Sequence, residues 1–491
     1  MNNYLIINPK DNVMVALKDL KKGDKVNGIV LQGDVARGHK IALIKIKAGD
    51  NVFKYGEAIG SAIVDILAGS HVHTHNVKTN LGDVIEYKYK KELNPLVASN
   101  KKRVVNVYKR DNGNVGIRNE IYVIPTVGCI VGTLRVIVDK FKTLVKTNVK
   151  FLDDIQVISH TYGCSQMGDD HVNTKETLQN IASHPNAGGV LVVGLGCENN
   201  QMKEFVKFDY DKKRTRFLIM QEVKDEIEAG VNLLLELYEN MKNDKREKMP
   251  ISCLNVGLEC GGSDGLSGIT ANPLLGKLSD YLVDQGGTTV LTEVPEMFGA
   301  EKNLMKRASS KEVFEKVVEM VNGFKNYYKC HNQVIYDNPS PGNKNGGITT
   351  LEDKSLGCTE KSGTRVVIDV LKHTEKLKLK GLNLLGAPGN DLVATTALGM
   401  CGCQMVLFTT GRGTPFGGFI PTMKISTNSD LYERKPNWID FNAGMLADGV
   451  AMDESLEKLL DLVVEVANGK QVNNELNHFK EIAIFKDGVI L

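Results

Sequence analysis

Three histidines at alternate positions are the clearest chemical feature of this chain. His71, His73 and His75 fall within residues 69–76, so three of the ten histidines occupy five positions. On an extended strand, alternate side chains lie on the same face about 7 Å apart, so these imidazoles could converge on one ion or one substrate. A solvated strand face that is merely rich in histidine is the alternative. The crowding of the histidines favours a functional site.

Loops after residue 104, most of them rich in glycine, supply a second set of candidate groups. From residue 104 onward, apolar runs alternate with amphipathic stretches, which predicts parallel α/β architecture. Ligands bind outside the carboxyl ends of parallel strands, where such loops lie. The loops are residues 160–165, 194–198, 257–268, 292–295, 386–391 and 409–417; each carries a hydroxyl, thiol or carboxylate, and all but 292–295 also carry glycine. Six loops of this kind predict the rim of one active site.

Three kinds of chemistry fit these loops. Carboxylates could complete a mixed nitrogen and oxygen shell for iron(II), manganese or zinc together with the histidines. The candidate carboxylates are Glu259, Asp264, Glu293 and Asp391. Arg412 lies between glycines and could bind a carboxylate through two parallel hydrogen bonds. Lys361 could act as a base if its surroundings lower its pKa.

The cysteines leave a second hypothesis open. Glycine precedes or follows several of the nine cysteines, which is typical of tight loops at strand ends. An iron–sulfur cluster requires three or four thiolates. The four candidate ligands are Cys164, Cys197, Cys260 and Cys358. Burial as a small hydrophobic side chain explains any single one of them equally well, so this cofactor is the less favoured.

Composition excludes several classes of partner. The chain has 491 residues, 24% of them charged, and a formal net charge of +2. Nothing in that balance indicates a nucleic acid or an anionic membrane surface as partner. No apolar run has the length of a signal peptide or a membrane span, so we expect a cytoplasmic protein with a small-molecule partner.

The organisation along the chain predicts four segments. Residues 1–95 are rich in short strands and turns, including an alternating strand over residues 40–46. Residues 96–104 read as a linker, residues 105–248 as an α/β domain that could carry a dimer contact, and residues 249–491 as a second α/β domain. A charged stretch before Pro250 marks the last boundary, and a strand is expected over residues 252–256. Residues 33–40 resemble a phosphate loop but lack its lysine and hydroxyl, so that reading is discarded.

Longer runs of sequence resemble one known family. These runs are residues 71–76, 259–273, 343–347, 352–356 and 408–415. Together they resemble the altronate and galactarate dehydratases. The resemblance implies a small N-terminal β-clip (SAF-type) domain followed by a large Rossmann-like parallel α/β region in two parts. It also implies a homodimeric lyase that removes water from a sugar acid to give a 2-keto-3-deoxy acid. A divalent metal would be required, with Fe²⁺ expected first and Mn²⁺ as the alternative.

The family pattern and the residue types together give a hypothesis for each site residue. The predicted metal ligands are His73, His75, His71, Asp264 and Glu293. The predicted catalytic residues are Lys361 and His160 for acid and base roles and Arg412 for binding the substrate carboxylate. The predicted substrate contacts, besides Arg412, are Thr410, Gly413, Asn76 and Ser263.

The substrate is a separate question. Altronate has one carboxylate and galactarate has two, and Arg412 is the one arginine flanked by glycines at a predicted strand end. We therefore predict altronate. Galactarate dehydration, a sulfolactate-type sulfo-lyase reaction and non-catalytic binding of a sugar acid are the alternatives, in that order.

Overall fold

The first domain is a small assembly of short antiparallel strands. The computed structural model of the chain describes residues 3–82, 84–93 and 101–490. The strands of this domain are β1 (Tyr4–Leu5), β2 (Val13–Ala16), β3 (Lys25–Val26), β4 (Ile29–Val30), β5 (Lys40–Ala42), β6 (Asn51–Lys54), β7 (Glu57–Ala62), β8 (His71–Val72) and β9 (Val77–Lys78). They form the sheets β1-β2-β5-β8 and β6-β7-β9 and the hairpin β3-β4. The predicted strand over residues 40–46 is shorter than expected, because Ile46 leaves β5 to pair with Ile66.

The second region is built around a four-stranded parallel sheet. Its strands are β10 (Val104–Lys109), β11 (Val115–Gly116), β12 (Glu120–Pro125), β13 (Ile155–Val157), β14 (Ala187–Gly194), β15 (Thr215–Ile219) and β16 (Glu247–Pro250). Its helices are α1 (Val131–Leu144), α2 (Gly168–Ala182), α3 (Met202–Phe205) and α4 (Glu226–Met241). The parallel sheet has the order β13-β12-β14-β15. Strands β12 and β14 are buried along their whole length, as expected for parallel strands covered on both faces.

The charged stretch before Pro250 is a strand, which the sequence did not predict. Strand β16 pairs antiparallel with β10, so the chain enters and leaves this region through one small sheet, β11-β10-β16. Of the predicted linker, residues 96–100 lie outside the described residues and Val104 already belongs to β10. The segment before the linker is docked, because the Tyr87 hydroxyl donates to the Glu301 carboxylate of the third region.

The third region contains a seven-stranded sheet in which every pair is parallel. Its strands are β17 (Asn255–Cys260), β18 (Thr288–Leu291), β19 (Val367–Leu371), β20 (Gly381–Leu385), β21 (Met405–Thr410), β22 (Thr422–Ser426) and β23 (Phe441–Asn442). Its helices are α5 (Ala271–Asp284), α6 (Glu301–Met305), α7 (Lys311–Cys330), α8 (Pro341–Asn345), α9 (Leu351–Thr359), α10 (Asp391–Met400), α11 (Ser429–Arg434), α12 (Met452–Ala467) and α13 (Asn473–Leu476). The order is β19-β20-β18-β17-β21-β22-β23, which confirms the Rossmann-like parallel α/β prediction.

Strand order fixes where a ligand can bind. After β17 the chain forms β18, β19 and β20, which all lie on one side of β17 in the sheet. It then returns to form β21 on the other side of β17. Loops leaving β17 and β21 therefore diverge and open a crevice at the carboxyl ends of these two strands. The strand predicted at residues 252–256 begins later, at Asn255, because a 3₁₀ turn occupies Ile251–Cys253. The prediction thus missed Glu259 and Cys260 as strand residues that end at this crevice.

Short 3₁₀ helices complete the regular structure. They are Gly128–Ile130, Met220–Glu222, Ile251–Cys253, Val294–Met297, Glu360–Ser362 and Gly444–Leu446. Within the described ranges, no helix combines the length and apolar character that crossing a bilayer requires.

Candidate active site

Three histidines of the first domain form a compact group. The Nδ1 of His39 lies 2.9 Å from the Nε2 of His71. The His39 ring centroid is 5.0 Å from those of His71 and His73. One ring nitrogen from each of the three lies within 4.8 Å of the other two. His75 is exposed outside this group, with its ring centroid 5.4 Å from that of His71. His39 therefore takes the place in the group that was predicted for His75.

The backbone that presents these histidines is a turn rather than the predicted strand. Strand β8 ends at Val72, and residues 73–76 turn back into β9. The Asn76 side chain holds the turn, since its oxygen accepts from the His73 N–H at 2.9 Å and its amide donates to the His71 carbonyl at 2.9 Å. Both polar ends of Asn76 are used in this way, which gives it a structural role in the turn; its predicted contact with substrate stays a prediction.

The three grouped imidazoles are held neutral. Burial, reinforced by the neighbouring rings His39 and His73, lowers the pKa of His71 to about 3. Burial and then the Lys40 ammonium lower the pKa of His73 to about 4. Burial also lowers the pKa of His39. A metal binds the neutral imidazole, and this group therefore offers three nitrogen ligands without releasing protons near neutral pH. The donor set fits a divalent first-row metal.

Close backbone contact seats this histidine group on the third region. A Cβ atom at Gly265 would lie 1.9 Å from the Gly38 carbonyl oxygen, and one at Gly347 would lie 2.5 Å from the same atom. Only glycine allows this approach, and Gly347 also has a φ of +102°. His39 contacts the Asn345 carbonyl and His73 the Thr349 hydroxyl, at 3.3 Å and 3.2 Å. The histidine group therefore lies against the loops beside the crevice of the seven-stranded sheet.

A buried ion triad fixes this docking. Lys40 and Lys54 of the first domain donate to the two carboxylate oxygens of Asp353 in α9, at 2.8 Å and 2.9 Å. Lys40 also donates to the Gly347 carbonyl at 2.7 Å. Burial alone would raise the pKa of Asp353, but the two ammonium groups hold it well below its usual range. Burial lowers the pKa of Lys40 to about 8, and the Asp353 carboxylate offsets this only in part because it is also the counterion of Lys54.

The loops at the β17–β21 crevice present one unpaired cation. The Arg412 side chain is exposed and makes no hydrogen bond or ion pair with any described residue. Its backbone N–H donates to Gly262, and a Cβ at Gly262 would lie 3.3 Å from the Arg412 Cβ. Ser263, next in the chain, is buried with an unpaired hydroxyl. Both residues keep the polar groups that a substrate would need.

Other predicted contacts in these loops have structural roles. The Thr410 hydroxyl accepts from the Gly413 N–H at 2.9 Å, and Gly413 packs against Leu431. Asp264 was predicted as a metal ligand, but its oxygens accept from four donors. These donors are the Ser267 and Thr427 hydroxyls, the Leu266 N–H and the Asn428 amide. These bonds make Asp264 the clamp that holds the crevice loops together.

Beneath the crevice lies a buried cluster of acids, lysines and thiols. Glu259, Glu293 and Asp391 each place one oxygen within 4.8 Å of the others. Glu293 is fully buried at a φ of +66°, and one of its oxygens has no partner. A strained, left-handed backbone at a non-glycine residue is typical of functional sites. Glu293 was predicted as a metal ligand with the histidines, but the structure puts it in this separate group.

The acids of this cluster have divergent pKa values. Burial and then Glu296 raise the pKa of Glu293 to about 7 and that of Asp391 to about 6. Burial and then Glu293 raise the pKa of Glu259 well above its ordinary value. Burial would raise the pKa of Glu296 too, but Lys354 bonds it at 2.6 Å and lowers it. Two carboxyls that titrate near neutral pH are suited to proton transfer.

Lys361 has a different role from the one predicted. Its Nζ lies 2.7 Å from the Cys260 sulfur and 3.1 Å from Glu293. Burial would lower its pKa, but Cys260 and Glu293 raise it well above the ordinary value. The condition for a lysine base is therefore not met. Lys361 is a fixed cation of the buried cluster.

Two further predictions are corrected by the second region. His160 is buried at the end of β13, with Nε2 2.8 Å from the Pro125 carbonyl and Nδ1 accepting from the Tyr162 N–H. Both ring nitrogens are thus bound to backbone, which leaves none for acid or base catalysis. The four cysteines proposed for a cluster divide into two pairs. Cys260 and Cys358 are buried 3.4 Å apart in the third region, whereas Cys164 and Cys197 are exposed in the second.

Some members of the site could not be found in the sequence. His39 lies in the discarded phosphate-loop segment, and its partners are far along the chain. Glu296 and Lys354 gave no motif, although Glu296 accepts from both Cys358 and Lys354. Helix α9 carries both Asp353 of the docking triad and Cys358 of the buried cluster, so it connects the two halves of the site.

Comparison with known proteins agrees with this architecture. A family model described as D-galactarate/altronate dehydratase, C-terminal, matches residues 251–490. Models for the second domain of D-galactarate dehydratase/altronate hydrolase and for the altronate/galactarate dehydratase SAF domain match residues 107–242 and 2–80.

Full-length relatives agree as well. Altronate dehydratase of Escherichia coli (strain K12) is 58% identical over 99% of this chain and 100% of that protein. Altronate dehydratase of Bacillus subtilis (strain 168) is 55% identical over 100% of both chains. Galactarate dehydratase (L-threo-forming) of Escherichia coli (strain K12) is 31% identical over 98% of this chain and 96% of that protein. The chain therefore belongs to the altronate/galactarate dehydratase family of hydro-lyase enzymes.

Proposed function

We propose that this enzyme removes water from altronate to give a 2-keto-3-deoxy acid. The relatives named altronate dehydratase are 58% and 55% identical to it, against 31% for the one named galactarate dehydratase. Among the described residues, Arg412 is the exposed cation without an ion pair in the loops of the β17–β21 crevice, and one such cation suits a substrate with one carboxylate. The observation that carries the proposal is the neutral histidine group seated beside this crevice.

His39, His71 and His73 are the residues that would hold a divalent metal. When bound, the metal would supply Lewis-acid stabilisation of the negative charge that develops on the substrate as the C2 proton leaves. The three imidazoles are neutral near pH 7, which keeps all three nitrogens available. Fe²⁺ is our first proposal for this ion and Mn²⁺ the second, since both accept imidazole and oxygen ligands.

Arg412 and Asp391 are proposed as the two residues that act directly on the substrate. Arg412 contacts Gly262, and a Cβ at the adjacent Gly261 would lie 2.2 Å from the Asp391 carboxylate. Arg412 would bind the carboxylate of altronate and leave its C2 hydrogen facing the acidic group. Asp391 has a pKa of about 6, so it is mostly ionised at pH 7 and can accept that proton.

Proton delivery to the departing hydroxyl completes the reaction. The C2–H bond breaks with its proton moving to Asp391, and the C3–O bond breaks with the hydroxyl leaving as water. Glu293, with a pKa of about 7, holds a proton at neutral pH that can pass through Asp391 to the leaving oxygen. The enol that remains then loses its O–H proton and takes a proton at C3, and so becomes the 2-keto acid.

A substrate panel tests the proposal. Purified protein would be incubated anaerobically with Fe²⁺ or Mn²⁺ and with altronate, other aldonates or galactarate, and 2-keto acid would be measured. We expect the largest kcat/KM with altronate and little product after chelation of the metal. Preference for galactarate would refute the substrate assignment. Ligand-dependent stabilisation without turnover of any panel member would refute catalysis.

A further inference from the structure

Three cysteines that the catalytic proposal does not use share one edge of the second region. Cys129, Cys164 and Cys197 follow β12, β13 and β14, which are neighbours in one parallel sheet. Carboxyl ends of parallel strands meet at the same edge, so the three thiols are carried by adjacent loops. All three cysteines are exposed and free. Exposed free thiols are uncommon unless they bind something or react.

Direct contacts hold these three loops together. The Gly128 N–H donates to the Tyr162 carbonyl at 2.8 Å, and the Asn200 N–H donates to the Gly163 carbonyl at 3.0 Å. A Cβ at Gly163 would lie 2.0 Å from the Thr126 carbonyl oxygen, so this approach requires glycine. The first contact ties the Cys129 loop to the Cys164 loop, and the second ties the Cys164 loop to the Cys197 loop. The three thiols are therefore presented by one preorganised surface.

The loops at this edge lie close to helix N-termini and contain unmet hydrogen bonds. Cys129 lies in the 3₁₀ turn that runs into the 14-residue helix α1, and Cys164 shortly precedes the 15-residue helix α2. Helix N-termini carry a partial positive charge and attract anionic ligands. In the same loops, the Gln166 amide nitrogen and the Asn200 amide oxygen are buried without a partner. Their side chains are 4% and 1% exposed.

The presentation of the thiols on three separate loops bears on the kind of ligand they can hold. A single tetrahedral zinc or iron ion binds sulfur at about 2.3 Å, which requires the sulfurs to approach within about 4 Å of one another. Cys129, Cys164 and Cys197 are not among the groups of described residues whose ligand atoms all lie within 4.8 Å. In an iron–sulfur cluster each thiolate binds a different iron, so the protein sulfurs stand farther apart.

We propose that Cys129, Cys164 and Cys197 hold an iron–sulfur cluster of the four-iron, four-sulfide type. Each thiolate ligates one iron, and the fourth iron keeps a position for water or a small oxygen ligand. This assignment differs from the set considered from the sequence, because Cys260 and Cys358 belong to the buried cluster of the third region. It is independent of the metal at the histidine group and of the identity of the sugar acid.

Metal and sulfide analysis tests this cluster. The full-length protein would be reconstituted anaerobically with Fe²⁺ and sulfide, desalted, and assayed for iron, acid-labile sulfide and absorbance near 400 nm. We expect about four sulfides per chain in the wild type. Cys129→Ser, Cys164→Ser and Cys197→Ser should each lose most of the sulfide. Cys330→Ser changes an exposed cysteine of α7 and should keep it.

A second measurement does not depend on variants that fold. Alkylation of the reconstituted wild type, read by mass spectrometry, should leave Cys129, Cys164 and Cys197 unmodified while Cys330 reacts. Treatment with a chelator and an oxidant should then expose all three. The proposal is overturned if the folded wild type binds no sulfide, if it binds iron or zinc without sulfide, or if the triple serine variant retains the cluster.

Discussion

Replacing Asp353 with asparagine should undock the histidine-bearing domain. Asp353 is the only carboxylate that bonds Lys40 and Lys54 among the described residues, and its side chain is fully buried with theirs. The variant keeps a similar shape but leaves two buried ammonium groups without a counterion. Removing one partner of a buried ion pair typically costs about 3–5 kcal/mol. We expect a loss of this size in the free energy of unfolding of the docked state.

The pH dependence of this loss has a defined sign. The pKa of Asp353 is lower in the folded protein than its ordinary value, so its contribution is fully present above the ordinary pKa of about 3.9. The contribution is lost as pH falls further toward the folded pKa. The gap in stability between wild type and Asp353→Asn should therefore be full at pH 7 and should narrow as pH falls below about 4.

Urea unfolding and limited proteolysis measure the effect. Asp34→Asn is the matched control, because Asp34 makes the same kind of bond to Lys21 with side chains 61% and 76% exposed. An exposed pair of this kind contributes about 0–1 kcal/mol. Asp353→Asn should shift the unfolding midpoint well below that of Asp34→Asn and should speed cleavage between the first domain and β10. Equal midpoints for the two variants at pH 7 would refute the role of the triad.

Three further predictions concern the chemistry of the site. His39→Ala should weaken metal binding by about 10- to 100-fold, as loss of a ligand or its support does. The control is His331→Ala, which changes an exposed histidine and should leave metal binding unchanged. Equal metal content of the two variants by mass spectrometry would contradict the assignment of the histidine group as the metal site. Arg412→Ala should raise the KM for altronate by about 10- to 100-fold, which corresponds to the free energy of a hydrogen bond to a charged group. The control is Arg434→Ala, which changes an exposed arginine and should leave KM unchanged. A wild-type value in Arg412→Ala would exclude the carboxylate contact. Asp391→Asn should reduce kcat by about 10²- to 10⁴-fold. The kcat of the wild type should fall as pH drops below about 6, because the base must be ionised. If the variant shows the same fall in kcat below pH 6, Asp391 is not the base.

The sequence predicted the sheets well because buried parallel strands are apolar throughout. Strands β12, β14 and β21 consist almost wholly of buried residues, and their apolar runs identified them. Strand β16 was missed because it lies at the edge of a small antiparallel sheet and three of its four residues are exposed. A pattern of apolar residues reveals a strand only where its side chains are buried, and most side chains of β16 are exposed.

Only part of the site could be predicted, because the spacing of residues in a sequence indicates contacts between nearby residues and not contacts between distant segments. His71 and His73 lie close together as the spacing predicted, although a turn rather than a strand gathers them and His75 is outside the group. His39 and Asp353 could not be assigned, since their partners come from distant segments. Lysine is almost never fully buried without a partner, so the sequence offers no reason to place Lys40 and Lys54 in the interior, and only the docked structure buries them.

The charges of the buried cluster explain how one site could both take and give a proton. Lys354 and Lys361 are cationic, and Glu296 is anionic because these lysines lower its pKa. Glu259 keeps its proton, so the second positive charge is balanced by whichever of Glu293 and Asp391 is ionised. With pKa values of about 7 and 6, Glu293 is about half protonated and Asp391 is mostly ionised at neutral pH, so the pair offers both a proton and a site that can accept one. Dehydration removes one proton from carbon and delivers one to oxygen, so a cluster poised in this way can complete the reaction without exchanging a proton with solvent.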